Sequence, residues 1–325
     1  MKNKNFFLIT IITIIFLLLS SIFINYILNP YGVFFKYKNY EISTTINERY
    51  LKIAYILDNP KKYDSFIFGS SRVGTLEGEK IGKFYNMTFS GALLSEILEN
   101  LKIFIENNIE IRNIILGIDD FDFYENPESS EEILYKISYK KLQENKFNFF
   151  KYYLIKNPFN KVNYNYLFKK EKVYRDILET GKWKREYADI KIESDINEHK
   201  YILLNKNINK IETNRIQKTI KEINEFIIIC QKNNIKLTII YLPLYKGHYI
   251  INKDLIDISR KELQKITSYW DMVEIKGYTD NEYYWYEESH YRPILGKIIL
   301  KKIFKENYKE EIEIPKNFGE FKIKE

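Results

Sequence analysis

Between Phe6 and Leu28 the chain carries no charged side chain and is dominated by Ile, Leu and Phe. A run of about 20 apolar residues is long enough to cross a bilayer as an α-helix, which satisfies its own backbone polar groups in hydrocarbon. Lys2, Lys4 and the amino terminus precede the run. The positive-inside tendency therefore predicts a cytoplasmic N-terminus and a main domain outside the cell membrane, with Lys36 and Lys38 making the asymmetry modest. A cleaved signal peptide is the rival reading. No Ala or Gly occurs before Gly32, so an A-x-A-type cleavage site is lacking and Ser20 and Ser21 are the small candidates. The expectation is an uncleaved signal anchor over residues 1–32, closed by Asn29-Pro30-Tyr31-Gly32, where Pro and Gly do not comfortably continue a helix.

Residues 33–325 read as one large domain. Apolar residues at 45% and aromatics at 16% supply a sizeable core and argue against disorder. Short apolar runs that stop at polar turns recur along it. Ser65–Phe68 delivers Gly69-Ser70-Ser71, Phe84–Met87 delivers Thr88-Phe89-Ser90-Gly91, and Asn113–Leu116 leads to Asp119-Asp120. Lys236–Leu242 and Trp270–Glu274 are two further strand candidates. Helical spacing covers Tyr40–Asp58, Ser95–Asn107, Ile211–Asn234, Leu255–Thr267 and, with Pro at its start, Pro293–Lys301. Strands alternating with helices predict an α/β fold, a three-layer α/β/α arrangement around a parallel sheet of about five strands.

The rhythm breaks from Phe121 to about Asn205. A stretch that long between two sheet strands predicts an insertion with its own helices, over Ser130–Gln143 and Arg175–Thr180. Its Tyr152, Tyr153 and Trp183 are candidates for stacking on sugars or for packing the insertion's own core. The tail after Asn307 is charged and is expected to fray.

The net charge of +7 is spread without a compact Lys/Arg block, which argues against a nucleic-acid partner and leaves anionic headgroups or a surface polymer as candidates. Cys230 is the one cysteine, so intrachain disulfides and multi-Cys metal sites are excluded. No cofactor is called for.

In an open parallel sheet the carboxyl ends of the strands form one edge, where sites are built. Ser71 stands at that edge on its turn. A serine needs a base to attack at neutral pH, and the chain offers His199, His248 and His290. His290 lies in Y-E-E-S-H-Y-R-P, with Glu287 three residues before it, close enough to hold the imidazole's second nitrogen. His248 reads equally as a satisfied turn residue and His199 as an exposed one. Arg72 and Arg292 are candidates for substrate clamps or for internal ion pairs.

The combination resembles the SGNH (GDSL-like) hydrolase superfamily. Its G-D-S block is similar to Gly69-Ser70-Ser71, its N-x-x-x-S-G block to Asn86-Met87-Thr88-Phe89-Ser90-Gly91, and its D-x-x-H block to Glu287-Glu288-Ser289-His290. The resemblance spans about Asp64 to Phe304. It implies a flavodoxin-like sheet, a Ser71–His290–Glu287 triad, and an oxyanion hole from the Ser71 and Gly91 amides. Two positions depart from the pattern. Asp119 in Leu116-Gly117-Ile118-Asp119-Asp120 stands where the family has an Asn donor, and an ionised carboxylate does not donate. The triad acid is Glu instead of Asp. The anchor, N-P-Y-G, G-S-S-R and E-x-S-H-Y-R-P together are most similar to the membrane-anchored bacterial branch that includes polysaccharide O-acetylation and teichoic acid D-alanine transfer proteins. That likeness implies acyl transfer on a cell-surface polysaccharide outside the membrane, alongside a membrane-bound O-acyltransferase. The alternative is a catalytically silent scaffold that binds polysaccharide or such a partner.

Overall fold

The computed structural model describes residues 2–29, 31–35, 40–41, 46–125, 137–155, 174–184, 211–274, 276–315 and 317–325. It begins with helix α1, Lys2–Leu28, whose segment Lys4–Ile27 is long and apolar enough to cross a membrane; residues 4–19 are exposed and Asn25, near its foot, is buried. In chain order there follow β1 (Tyr40–Glu41), α2 (Glu48–Asp58), β2 (Ser65–Phe68), β3 (Phe84–Asn86), α3 (Leu94–Glu106) and β4 (Asn113–Ile118). Then come α4 (Tyr139–Glu144), α5 (Lys146–Ile155), β5 (Tyr174–Arg175), β6 (Trp183–Lys184), α6 (Thr213–Lys232) and β7 (Lys236–Tyr241). The chain closes with α7 (Lys246–Ile251), α8 (Lys253–Ile266), β8 (Tyr269–Asp271), β9 (Trp285–Glu287), β10 (His290–Tyr291), α9 (Pro293–Phe304) and β11 (Glu320–Lys322).

Six strands form the central sheet in the order β11-β8-β7-β4-β2-β3. Five are parallel, and β11 pairs antiparallel with β8 at the edge. The strands are apolar on both faces because both are covered. Phe66, Phe68, Ile114, Leu116 and Ile118 point into one cluster with Leu101 and Phe104 of α3, Ile223 and Phe226 of α6, and Leu263 of α8. Their alternates Ile67, Ile115 and Ile240 join Leu295 and Ile299 of α9 in a second cluster on the opposite face. The alternation follows from the two-residue period of a strand. Each fully buried Phe or Ile contributes about 1.5–3 kcal/mol relative to exposure, so truncating Phe66 to Ala would cost about 3–5 kcal/mol.

Several sequence expectations require correction. Helix α2 starts at Glu48, not Tyr40, because Asn47 caps it by accepting from the Tyr50 N–H at 3.0 Å. Arg175–Thr180 is no helix: Arg175 ends β5, which pairs antiparallel with β6 across a turn. In the Ser130–Gln143 stretch a helix is present from Tyr139, and residues 130–136 lie outside the described ones. The charged tail does not simply fray. Glu320–Lys322 adds an edge strand, with Phe321 packed 5.2 Å from the Trp270 ring. Of the aromatics considered for sugars, Tyr153 and Trp183 are 1% and 4% exposed. Trp183 donates its ring N–H to Glu48 at 2.8 Å, and the Tyr153 hydroxyl accepts from Asn47 at 2.7 Å. Both belong to the core, while Tyr152 is partly buried against it.

Candidate active site

Strand β2 ends at Gly69, and residues Ser71–Val73 form one 3-10 turn capped by Ser70, whose hydroxyl accepts from the Arg72 N–H at 3.2 Å. Val73 seats this turn on the sheet. A Cβ on Gly69 would stand 2.8 Å from a Val73 methyl, and one on Gly117 of β4 would stand 2.5 Å from the other. Gly69 also has φ +155°, which side-chain-bearing residues rarely adopt. The two glycines thus leave the space Val73 fills, and Val73 holds the Ser71 turn. Gly117→Ala is expected to cost about 1–3 kcal/mol through overpacking and to displace Ser71, with Val73→Ala in the same chain restoring part of both. Thermal unfolding and turnover of an activated ester check this; an unchanged Tm and turnover in Gly117→Ala would contradict it.

The turn after β3 is tied to the Ser71 turn. Asn86 donates through Nδ2 to the Val73 carbonyl at 2.7 Å, and Thr88 Oγ1 donates to the Ser70 carbonyl at 2.6 Å. Helix α2 holds the same turn from behind. Buried Lys52 donates to the carbonyls of Asn86 at 3.2 Å and Thr88 at 2.6 Å. Arg49 grips Glu96 at 2.6 and 3.0 Å, donates to the Gly91 carbonyl at 3.3 Å and lies 4.3 Å from the Phe89 ring centroid. Gly91 itself sits exposed on the turn with φ 56°. Sequence reasoning missed Arg49 and Lys52, because charged residues on a helix ordinarily face water.

His290 arrives on a two-stranded hairpin in which Glu287 and His290 are cross-strand partners. The hairpin, and not a loop, explains why residues three apart meet. His290 Nε2 lies 2.7 Å from Ser71 Oγ, and its Nδ1 is hydrogen-bonded to Glu287 Oε1. Ser289 Oγ donates to the same carboxylate, 2.9 Å from Oε2, and stands 3.0 Å from His290 Nδ1. Burial alone would raise the Glu287 pKa, but the hydrogen bond and charge of His290, with Ser289, outweigh it and hold the carboxyl at about 2. In this series a hydroxyl can pass its proton to an imidazole whose positive charge the carboxylate stabilises.

Glu287→Gln keeps the shape and removes that charge. Loss of the orienting carboxylate is expected to lower kcat by up to about 10⁴-fold. Solvent screening of a half-exposed carboxylate keeps the stability effect to about 1 kcal/mol or less. The folded pKa of Glu287 is depressed, so its contribution is complete above its ordinary value of 4.5 and is lost as pH falls through about 2. Wild type and variant should therefore converge in stability as acid is added across that window, as measured by denaturation at stepped pH. A constant difference would contradict the pairing.

Behind Ser71 lies a buried ionic cluster. Arg72, 5% exposed, places Nη1 2.7 Å from Asp120 Oδ1 and 3.1 Å from Asp119 Oδ1. His248, on α7 and buried, bonds Asp120 Oδ2 at 2.8 Å. Burial raises Asp120, but Arg72 and His248 outweigh it and hold its carboxyl well below the usual range. Burial pushes Asp119 up to about 6, with Arg72 opposing the shift. The Asp119 N–H donates to Asp122 Oδ2 at 3.1 Å. Arg292, 3% exposed, donates to the Tyr283 carbonyl at 3.0 Å and lies 4.7 Å from that ring's centroid. Both arginines therefore have internal partners.

The structure brings Ser71, His290 and Glu287 together, pairs Arg72, next to Ser71, with Asp119, and ties Asn86 and Thr88, shortly before Gly91 in the chain, to the Ser70–Val73 segment. His199 lies outside the described residues. Among the described residues no cluster of His, Cys, Asp and Glu has the makings of a metal site. No family model matches the chain, and no curated protein matches it at a significant level.

Proposed function

We propose that the chain is a membrane-anchored, serine-dependent acyl-transfer enzyme of the SGNH-like kind, an O-acyltransferase or esterase acting on a cell-surface polysaccharide outside the membrane. The observation that carries this reading is the series from Ser71 Oγ to His290 Nε2, at 2.7 Å, to Glu287 across one hairpin. The sheet order supports it. The parallel strands β3-β2-β4-β7-β8 run 2-1-3-4-5 among themselves, the flavodoxin-like order whose ligand sites lie beyond the strands' carboxyl ends.

In this reading Ser71 gives its proton to His290 Nε2 as Oγ attacks the acyl carbonyl carbon. The tetrahedral intermediate collapses, His290 returns the proton to the departing oxygen, and the acyl group remains as an ester on Ser71. A sugar hydroxyl or water then yields its proton to His290 as it attacks that ester, and His290 returns the proton to Ser71 Oγ as the bond from Oγ to the acyl carbon breaks. The Ser71 and Gly91 amides are the oxyanion donors this scheme uses. A membrane-bound O-acyltransferase is the partner that would supply acyl groups.

The test places the full chain in lipid nanodiscs with 4-nitrophenyl acetate and follows nitrophenolate release together with acetylation of the Ser71 peptide. A burst and an acetyl-Ser71 adduct are expected; neither would be seen if the reading is wrong. One observation favours the silent scaffold: Asp119 stands at the family's Asn donor position, and its carboxyl faces Arg72. Polysaccharide binding that survives Ser71→Ala and His290→Ala, in a wild type without turnover, would establish that second reading.

A further inference from the structure

Helix α5 and the foot of α1 share an apolar surface that the site at the sheet edge does not use. One face of α5 is core: Phe149 and Tyr153, four residues apart, are 4% and 1% exposed. Phe147, Phe150, Lys151, Leu154 and Ile155 recur at i, i+3, i+4, i+7 and i+8 and so form a second stripe. Phe147 is 74% and Ile155 57% exposed, an unfavourable arrangement in water for two large apolar side chains on one stripe. Together with Ile22 of α1 and Lys146, the stripe lines an open apolar groove of about 530 Å³.

The groove sits where a bilayer would end. Lys4–Ile27 is 24 residues, about 36 Å of helix against a hydrocarbon thickness of about 30 Å. Its last turn therefore falls at the interface, and Ile22, about one turn deeper, falls at the hydrocarbon edge. Asn25 pins α1 to α5 at that level, its Nδ2 donating to the Leu154 carbonyl at 2.6 Å. Around the junction the rings of Tyr26 and Phe35 lie 5.1 Å apart, Tyr26 and Phe34 5.4 Å, and Phe34 and Phe150 6.0 Å. Aromatic rings concentrate at membrane interfaces, and lysines there extend their ammonium groups toward lipid phosphates. Lys146 and Lys151 are both exposed beside this stripe.

We propose that α5 is a second membrane contact, its Phe147–Ile155 stripe bedded in the leaflet on the domain's side, with lipid acyl chain in the groove and anionic headgroups at Lys146 and Lys151. The proposal rests on α1 being the membrane anchor. Two points of attachment would fix how the domain, and with it Ser71, is held over the membrane.

Three tryptophan reporters in the full chain test it, in nanodiscs of phosphatidylcholine and phosphatidylglycerol with acyl-chain-brominated or plain lipid. Leu17→Trp reports α1, Phe147→Trp reports α5, and Phe321→Trp reports the far edge strand. Bromolipid should quench the added emission of Leu17→Trp and Phe147→Trp and leave that of Phe321→Trp unchanged. Quenching of Leu17→Trp alone would overturn the proposal and leave the anchor standing. Quenching of neither would remove the anchor and the proposal together. A Phe147→Trp signal shielded from bromolipid and from aqueous acrylamide alike would mean that protein covers the face, which also overturns the lipid assignment. Lys146→Glu/Lys151→Glu should weaken Phe147→Trp quenching in discs containing phosphatidylglycerol; unchanged quenching would overturn the headgroup contact.

Discussion

Ser71→Ala is expected to lower turnover of an activated ester by about 10⁴-fold or more, because it removes the atom that forms the covalent bond in the proposed scheme. His290→Ala should cost a similar factor. The double variant should be little worse than either single one, since nucleophile and base act as a unit whose losses do not add. Ser71 is only half-buried and its hydroxyl touches His290, so the deletion should leave the fold intact. Stopped-flow nitrophenolate release, with circular dichroism as a fold control, measures this. Wild-type turnover in Ser71→Ala would mean that whatever hydrolysis occurs uses another group.

The second large effect is on stability. Arg72→Met should destabilise the domain by about 3–5 kcal/mol, the usual cost of leaving buried carboxylates without their cation. For a domain of this size that corresponds to a fall in Tm of about 10 °C. His248 still bonds Asp120 in the variant, so the unrelieved charge is chiefly that of Asp119. The pH dependence has a definite sign. Asp119 keeps its proton up to about 6 in the folded protein against an ordinary 3.8, so the folded state binds more protons between those values. Its contribution favours folding below about 3.8 and is lost as pH rises through 6. Removing Arg72 leaves the ionised form still less supported, so the deficit should be larger at pH 8 than at pH 5. Adding Asp119→Asn should return part of it. Urea denaturation at the two pH values checks both statements; a deficit below about 1 kcal/mol at pH 8 would contradict the role given to Arg72.

What could be read in the sequence follows from which signals are local. The strands announced themselves because both sheet faces are covered, so that F-I-F, I-I-L and I-I-Y within them are apolar at successive positions. Their polar stops marked the sheet edge for the same reason. Glu287 and His290 were legible as neighbours by spacing, although the hairpin that joins them was not. The tail carried a two-residue alternation, Phe321 and Ile323 interleaved with Glu320, Lys322 and Lys324, that its charge obscured. The R-D-I-L-E-T stretch, expected to be helical, is a turn that Asp176 organises by accepting from the Glu179 N–H at 3.2 Å and from Thr180 Oγ1 at 2.7 Å. Least legible were the buried charges. Arg49, Lys52 and Arg72 acquire their partners from other parts of the chain, as Arg72 does with Asp120, 48 residues away. Nothing in the neighbouring residues distinguishes such an arginine from a solvated one. Gly117 is explained by the fold alone, where a Cβ would stand 2.5 Å from a Val73 methyl.

The most direct test of the central claim is covalent labelling of the full chain in nanodiscs with a fluorophosphonate, followed by peptide mapping. One modified residue, Ser71, is expected, with labelling abolished in Ser71→Ala and slowed strongly in His290→Ala and Glu287→Gln. No adduct on Ser71, or labelling at the same rate when His290 is removed, would contradict it.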